Sequence, residues 1–188
     1  LESIIGDSMK RMKKFLVSAL AAASFFLLTG CGNETIMEEY SFGYTQLKSG
    51  NSEVYLMTPV QLGEMHQKDG TNFYGANDAH WIITAESRPA SSTSVQAWAE
   101  EPTYMLAQTA TLSDLQKTVT QTTVLDKPAT EVEATFNLNV QGRTVKMAGR
   151  SLFFEDKDQV WDITYLYSDN DAVGKEVIDH VFGQIKNN

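Results

Sequence analysis

Three histidines are the side chains in this sequence best suited to metal binding or acid–base chemistry. His66, His80 and His180 are too far apart to form the closely spaced histidine pairs that hold zinc. Only His80 has a second ligand type nearby, because Asp78 could share one strand face with it as a weak metal pair. The spacing favours a hydrogen-bonded histidine at 80 and a boundary histidine at 180. We therefore expect no metal and no cofactor.

Carboxylates are the next candidates for chemistry, and their pattern favours structural roles. The segment Ser168–Asp171 followed by Gly174 lacks the alternating oxygens and the distal glutamate of a calcium loop, so helix capping is predicted there. Glu131 and Glu133 share one strand face, where paired carboxylates are normally solvated. No nucleophile elbow or phosphate-binding glycine loop is present in the sequence. We predict no catalytic residues, with an unrecognised envelope enzyme as the minor alternative.

The single cysteine, Cys31, carries the strongest chemical signal in the chain. It ends the sequence Leu28-Thr29-Gly30-Cys31, which looks like a bacterial lipobox. In a lipobox a diacylglyceryl group is added to the thiol, and the chain is then cut before the cysteine. One cysteine also excludes a disulfide framework and any Cys-based zinc or iron–sulfur site. The sequence predicts lipidation of Cys31 and cleavage before it.

The residues before Cys31 have the pattern of a secretory signal. Four basic residues form the start of the segment: Lys10, Arg11, Lys13 and Lys14. Phe15–Leu28 is then an uncharged stretch of 14 residues, shorter than the roughly 20 that a spanning helix needs. Residues 9–30 are therefore predicted to be a lipoprotein signal peptide. An uncleaved anchor or cleavage at Ala21–Ala23 are the alternatives.

The remaining amino-terminal boundaries follow from this signal. Residues 1–8 precede the signal and carry Glu2 and Asp7, so we expect them to be an upstream extension outside the native protein. Residues 31–39 are predicted to be a short lipidated tether, and residues 40–188 a single domain. Such a chain would lie in the cell envelope, attached to a lipid bilayer through its acylated Cys31.

The charge of the mature chain excludes one class of partner. Four of the 15 basic and two of the 24 acidic residues precede Cys31, which leaves 11 basic and 22 acidic residues and a formal charge of −11. A chain this acidic repels phosphate backbones and anionic headgroups, so we expect no nucleic-acid binding. Membrane attachment would then depend on acyl chains, of which two suffice for stable anchoring.

A meander of strands dominates the second half of the chain. Apolar and polar residues alternate over Thr130–Val140, which predicts a half-buried strand, and Gln141-Gly142 predicts a tight turn after it. The next strand, Arg143–Phe154, changes parity, with Gly149 as a plausible bulge. Gln159–Tyr167 returns as the third strand. Four weaker strand candidates lie upstream, namely Val54–Val60, Asn72–Gly75, His80–Ala85 and Val119–Leu125.

Two helices complete the predicted elements. One covers Ser94–Ala110, with Trp98 turned inward and Pro102 breaking or kinking it. The other covers Asp171–Lys186, whose apolar residues recur with helical spacing. Acidic residues at its start, among them Asp171, suit the dipole and the free N–H groups of a helix N-terminus. The predicted class is α+β, with an antiparallel sheet covered by helices.

The order of these elements resembles the PsbP-like domains, a fold shared with Mog-type nuclear import factors. Envelope lipoproteins of the DcrB kind are the most similar in setting. Four segments and the helix near Trp98 carry the resemblance over roughly Glu53–Lys186; the segments are Lys127-Pro128-Ala129, Gln141-Gly142-Arg143, Gln159–Tyr165 and Val181–Ile185. It implies an α/β/α sandwich with a central antiparallel sheet and no catalytic centre. Members of this kind serve as accessory or partner-binding proteins.

Three aromatic residues are the only candidates for a ligand or partner site. Phe73, Tyr74 and Trp81 cluster in a segment that contains Gly and Asn, where they could line a cleft or form an interface. Core packing is the favoured alternative. We predict a non-catalytic envelope lipoprotein that binds another envelope protein, with small-ligand binding at Phe73–Trp81 as the second hypothesis.

Overall fold

The computed structural model describes residues 40–68, 71–100, 111–140 and 142–187. Within these ranges the chain forms ten strands and two short helices. The strands are β1 Gly43–Ser49, β2 Ser52–Thr58, β3 Gly63–Lys68, β4 Thr71–Asn77, β5 Trp81–Pro89, β6 Thr111–Val124, β7 Lys127–Val140, β8 Arg143–Asp156, β9 Gln159–Ser168 and β10 Ile185–Asn187. The helices are α1 Val95–Glu100 and α2 Ala172–Val181.

The strands build two antiparallel sheets. Seven form a large sheet in the order β3-β4-β5-β9-β8-β7-β6, and three form a small sheet in the order β1-β2-β10. All neighbouring strands in both sheets run antiparallel. The large sheet therefore ends in β3 on one side and in β6 on the other.

The expected helix-covered α+β sandwich is wrong. Strands make up most of the described chain, and the helices span only six and ten residues. On one face of the large sheet the cover consists of a second β-sheet together with α2. The prediction failed because two strands of the small sheet, β1 and β10, have no clear apolar alternation in the sequence.

The main core lies between the two sheets, on what we call the inner face of the large sheet. This is the face that bears Trp161, Ile163 and Tyr165 of β9, all fully buried. Leu47 and Leu56 of the small sheet and the apolar side of α2 pack against it. The prediction that alternate residues of β9 share one face is confirmed, because each is buried by this cover.

The opposite, outer face of the large sheet is covered by α1 near its centre. Trp98 of α1 packs edge-on against Phe153 of β8, with ring centroids 6.1 Å apart. Val132 and Val160 complete this smaller cluster. All ten residues of β9 are buried: on the outer face Val160 packs in the cluster with α1, and Leu166 packs in a separate cluster with Ile82, Phe136 and Met147.

The predicted bulge at Gly149 is absent. The registers of β8 with β7 and with β9 run without a shift, and both parities of β8 are buried because both faces of the sheet are covered. Gly149 has a packing role instead, since a Cβ there would lie 2.6 Å from Cδ2 of Leu166. The predicted turn at Gly142 is confirmed by its φ of +79°.

The predicted helices exist but are shorter than expected. α1 starts at Val95, with Trp98 and Ala99 buried as predicted, and the part of that prediction in residues 101–110 lies outside the described residues. α2 ends at Val181, because Gly183 with a φ of +72° turns the chain and the following residues form β10. The expectation that the helix continues to Lys186 is therefore wrong.

The amino-terminal predictions lie outside the described residues. They concern residues 1–8, the signal peptide at 9–30, the lipobox with Cys31 and the tether at 31–39. In the described part of the chain, neither helix has the length and apolar character needed to cross a membrane.

Candidate functional site

The three aromatic residues predicted to bind a ligand or a partner lie in the interior. Phe73 is 3%, Tyr74 6% and Trp81 0% exposed. The Tyr74 hydroxyl donates to the Lys48 carbonyl oxygen at 2.8 Å and accepts from the Lys48 N–H at 3.1 Å, which ties β4 to the small sheet. This placement gives the aromatic side chains packing roles, and they do not form an open site.

Asp78 and His80 are hydrogen-bonded to neighbouring groups of the protein. Asp78 Oδ1 accepts the backbone N–H groups of His80 and Trp81, and its Oδ2 accepts the Tyr40 hydroxyl at 2.5 Å. His80 Nδ1 lies 2.9 Å from Oδ2 of Asp171. Burial and the Asp78 carboxylate raise the pKa of Tyr40. Among the described residues no three His, Cys, Asp or Glu side chains form a metal-binding group.

Asp171 also confirms the predicted helix cap. Its Oδ1 accepts the N–H of Gly174 at 3.0 Å, as an N-cap side chain does. His180, near the end of the same helix, is exposed and lies against the ring of Phe42, with centroids 4.4 Å apart. Residues 40–42 therefore enter the domain alongside α2, at the end nearest to the predicted tether.

A groove on the inner face is an open and strongly charged feature of the surface. It lies between α2 and the ends of β6, β7 and β8 that the small sheet leaves uncovered, and its volume is about 580 Å³. We call it the charged groove. Its charged lining residues are Lys117, Glu133, Arg150, Asp169, Lys175 and Asp179.

Arg150 organises the charged groove. Its guanidinium donates to Glu131 Oε1 from Nη2 at 2.8 Å and from Nε at 3.2 Å. Nη1 contacts Asp179 of α2 at 3.4 Å, and Nε lies 3.5 Å from Glu133. The guanidinium carbon stands 3.6 Å from the ring centre of Phe182. Arg150 thus links the sheet to α2 through charge and through a cation–π contact.

The other charges of the groove are paired as well. Lys175 binds Asp179 one helical turn away, and this hydrogen bond raises the pKa of Lys175. Lys146 lies 2.6 Å from Asp169, and Lys117 donates to the Glu100 carbonyl oxygen at 2.9 Å. Each charged side chain of the groove therefore has a partner already.

This arrangement is suited to binding more than to catalysis. A general acid or base needs a free proton site near a substrate, and an anion site needs an unneutralised cation. The charged groove instead presents fixed, alternating charges on an open surface. A partner with the complementary charge pattern would meet preorganised groups, which favours specificity over raw affinity.

The position of Arg150 opposite Glu133 could have been predicted from the sequence, although not from the alternation of apolar and polar residues alone. The turn at Gln141-Gly142 sets the hairpin register, which places Arg150 directly opposite Glu133. Glu131 and Glu133 were interpreted as a solvated pair, and both contact Arg150. The contribution of α2 to the groove depends on tertiary packing and has no local signal.

One buried carboxyl lies on the outer face, away from the groove. Asp162 is 8% exposed, and burial raises its pKa to about 7, opposed by the hydroxyl of Thr164, which donates to it at 2.7 Å. The nearby carboxylate of Glu86 raises the pKa further. Ser151 extends this chain through a 2.7 Å hydrogen bond to Thr164. The side chains of Asp162, Thr164 and Ser151 are all buried and belong to the core.

Comparison with known proteins yields distant fold likenesses, among them the two that follow. No family model and no curated protein matches the chain. The solved structure of PA94 from Pseudomonas aeruginosa, a protein of unknown function, is 10% identical, has a TM-score of 0.44, and covers 77% of this chain and 97% of its own. LpqN of Mycobacterium tuberculosis, involved in cell envelope biogenesis, is 15% identical, has a TM-score of 0.44, and covers 83% and 98%. At these values neither likeness bears on the function of this chain.

Proposed function

We propose that this chain is an exported lipoprotein of the bacterial cell envelope whose β-rich domain is a non-catalytic module that binds another envelope protein. The sequence Leu28-Thr29-Gly30-Cys31, behind a basic start and an apolar run of signal length, carries the proposal. The acyl chains on Cys31 hold the domain at the membrane surface. The charged groove supplies the contact with the partner.

The described domain begins close to the lipidated end, which supports this arrangement. Tyr40 is held to the domain by its hydrogen bond to Asp78. Eight residues, 32–39, lie between it and Cys31, so nine peptide steps join the two Cα atoms. Fully extended, a tether of this length reaches about 30 Å. The domain would therefore work close to the bilayer, where a partner would also be an envelope protein.

The charge pattern of the groove supports a protein as the partner. Its paired carboxylates and cations span two strands and a helix, and such a broad, polar and open surface resembles an interface rim more than an enclosed small-molecule pocket. The chain is acidic overall, so the cations Arg150 and Lys175 give this surface a local charge that differs from the rest.

Lipid attachment is tested by replacing the modified residue. In cells fed an alkyne-bearing palmitate, we expect the parent chain to take up the label and to sediment with membranes. Cys31→Ala should lose the label entirely and should leave the membrane fraction or remain unprocessed, because no thiol is left to modify. Gly32→Ala, which keeps the cysteine, is the matched control. A Cys31→Ala chain that is still processed and still bound to membranes would refute lipidation.

Partner binding is tested by crosslinking in cells, followed by purification and mass spectrometry. We expect one stoichiometric envelope protein with the parent chain. Lys175→Glu reverses one charge in the groove and should reduce the captured partner at least tenfold, whereas Lys157→Glu makes the same change in the β8–β9 turn and should not. Capture that is equal for both variants would exclude the groove as the binding surface.

A further inference from the structure

The free edge of the large sheet at β6 differs from ordinary protein surface. β6 is 14 residues long, forms one end of the sheet, and has no further strand paired to it within the described chain. All side chains from Ser113 to Gln121 are exposed. Leu115 and Val119 are 45% and 47% exposed, and they are two of the four large apolar side chains that the described residues expose.

The geometry of the β6–β7 turn shows which backbone groups face outward. Leu125 and Asp126 have φ values of 51° and 60°, the signature of a type I′ turn, so Val124 and Lys127 hydrogen-bond to each other. Hydrogen-bonded and non-bonded pairs then alternate along the ladder. The N–H and C=O groups of the odd-numbered residues therefore point away from β7: Lys117, Val119, Gln121 and Thr123.

This edge lacks the devices that prevent strand addition. Natural sheets protect their edges with charges, prolines, bulges or short strands. In β6 a register shift between Ser113 and Gln116 disturbs only one end. From Gln116 to Leu125 the sequence has one charge, Lys117, and no proline. In a chain with 24 acidic residues, this stretch contains none, so a second acidic molecule meets no repulsion from it.

We propose that β6 is a docking edge for a second copy of this chain, which pairs antiparallel with β6 about a twofold axis at Val119. The sequence around this residue is symmetric, because Thr118 and Thr120 flank it. The axis places Val119 beside its own copy, Thr118 opposite Thr120, and Lys117 opposite Gln121. Valine and threonine pairs are favourable cross-strand neighbours, and no like charges are opposed.

The pairing also supplies hydrogen-bond partners to the backbone groups of β6 that face away from β7. The outward N–H and C=O groups at Lys117, Val119 and Gln121 gain partners from the same residues of the second copy. The exposed faces of two valines are covered at once. The interface is a single strand pair, which falls at the small end of specific interfaces, so the dimer is expected to dissociate on dilution.

Site-specific crosslinking tests the proposal on the purified full chain. Val119→Cys places a thiol at the axis, and a short bismaleimide should convert most of the protein to a covalent dimer. The parent chain reports any reaction of Cys31, and Glu64→Cys places an exposed thiol on β3, the other edge of the sheet. Neither control should form a covalent dimer. A Val119→Cys chain that forms no covalent dimer, or equal crosslinking through Glu64→Cys, would overturn the proposal.

A second measurement guards against a variant that simply misfolds. The molar mass of the parent chain by light scattering should rise from monomer to dimer with concentration, and Val119→Lys should keep the monomer mass at all concentrations while its circular dichroism stays unchanged. Two lysines at the axis repel each other across the pair. A parent chain that is monomeric throughout would overturn the proposal. Crosslinking of Val119→Cys only to a different protein would also overturn it, because the occupant would then be a heterologous strand.

Discussion

The centre and the end of the large sheet differ in burial, although β9 and β6 belong to the same hydrogen-bonded sheet. All ten residues of β9 are buried, with the small sheet and α2 on one side and two smaller clusters, one of which includes α1, on the other. In β6 every side chain from Ser113 to Gln121 is exposed. The two strands are three positions apart in the sheet order.

The two strands therefore differ in role: β9 contributes mainly to the stability of the fold, and β6 is available for contact with another molecule. A strand buried on both faces contributes transfer free energy from nearly every side chain, so any change of shape or polarity there is costly. An exposed edge strand contributes mainly its backbone ladder to β7, and its side chains are free to meet another molecule. Substitutions in the two strands should therefore differ in their effect on folding by several kcal/mol.

The largest effect is expected at Trp161 of β9. The residue is fully buried, and its indole N–H donates to Ser52 Oγ at 2.9 Å, while Ser52 donates to Asp156 at 2.7 Å. Trp161→Ala removes the ring and leaves Ser52 without the hydrogen bond from the indole. We expect the free energy of unfolding to fall by about 3–5 kcal/mol. Urea denaturation followed by circular dichroism measures it.

Trp161→Phe separates packing from hydrogen bonding in that experiment. It keeps most of the apolar volume and loses the N–H, so its cost should be smaller, about 1–3 kcal/mol. If Trp161→Ala cost less than 1 kcal/mol, β9 would not be the stability centre and the contrast with β6 would fail.

Asp162, the next residue in β9, should have an effect that depends on pH. Its pKa is raised from 3.8 to about 7 by burial, so the folded chain binds this proton more tightly than the unfolded chain. The contribution of Asp162 to stability is therefore largest below pH 4 and is lost as the pH rises to 7. In Asp162→Asn this loss does not occur. The free energy of unfolding of the variant, relative to that of the parent, should therefore rise by up to about 4 kcal/mol between pH 4 and pH 8.

Urea denaturation at a series of pH values measures the difference between variant and parent. The matched control is Asp126→Asn in the exposed β6–β7 turn, which removes the same negative charge without burial. A constant difference between Asp162→Asn and the parent from pH 4 to 8 would show that this carboxyl is charged in the folded chain throughout.

Much of the sheet could be predicted from the sequence where burial follows a simple period. β7 and β9 alternate clearly, and both were predicted within a few residues of their bounds. β1 was missed because two of its three buried positions, Thr45 and Ser49, are polar and are satisfied by hydrogen bonds, such as the one between the hydroxyls of Thr45 and Thr58. A strand whose inward residues are polar has no apolar pattern to detect.

The missed strands of the small sheet account for the wrong fold class. β10 follows α2 within a few residues, and Ile185 continued the helical spacing of the apolar residues, so the segment was assigned to the helix. Without β1 and β10 the small sheet cannot be predicted, and helices are then the only cover available for the large sheet. The charged groove depends on the same packing, since Asp179 and Lys175 reach it only when α2 lies across β5 and β9.

The smallest effect is expected at Val119, and the best comparison is the residue directly opposite it in the ladder. Val119 of β6 pairs with Val132 of β7, which is 1% exposed, whereas Val119 is 47% exposed. Valine to threonine keeps the shape and adds a hydroxyl. In Val132→Thr this hydroxyl is buried, and we expect a loss of about 1–3 kcal/mol. In Val119→Thr it faces water, so the loss should stay within about 0.5 kcal/mol at low protein concentration.

Urea denaturation of both variants at micromolar and at high protein concentration measures the contrast. Pairing of two β6 strands stabilises the folded chain by mass action, so the parent should gain stability with concentration. Val119→Thr should gain less, because the valine contact at the axis is lost, whereas Val132→Thr should show the same concentration dependence as the parent from a lower starting value. Equal losses for the two variants at low concentration would mean that β6 is covered in solution, and the distinction between a buried centre and an open edge would no longer hold.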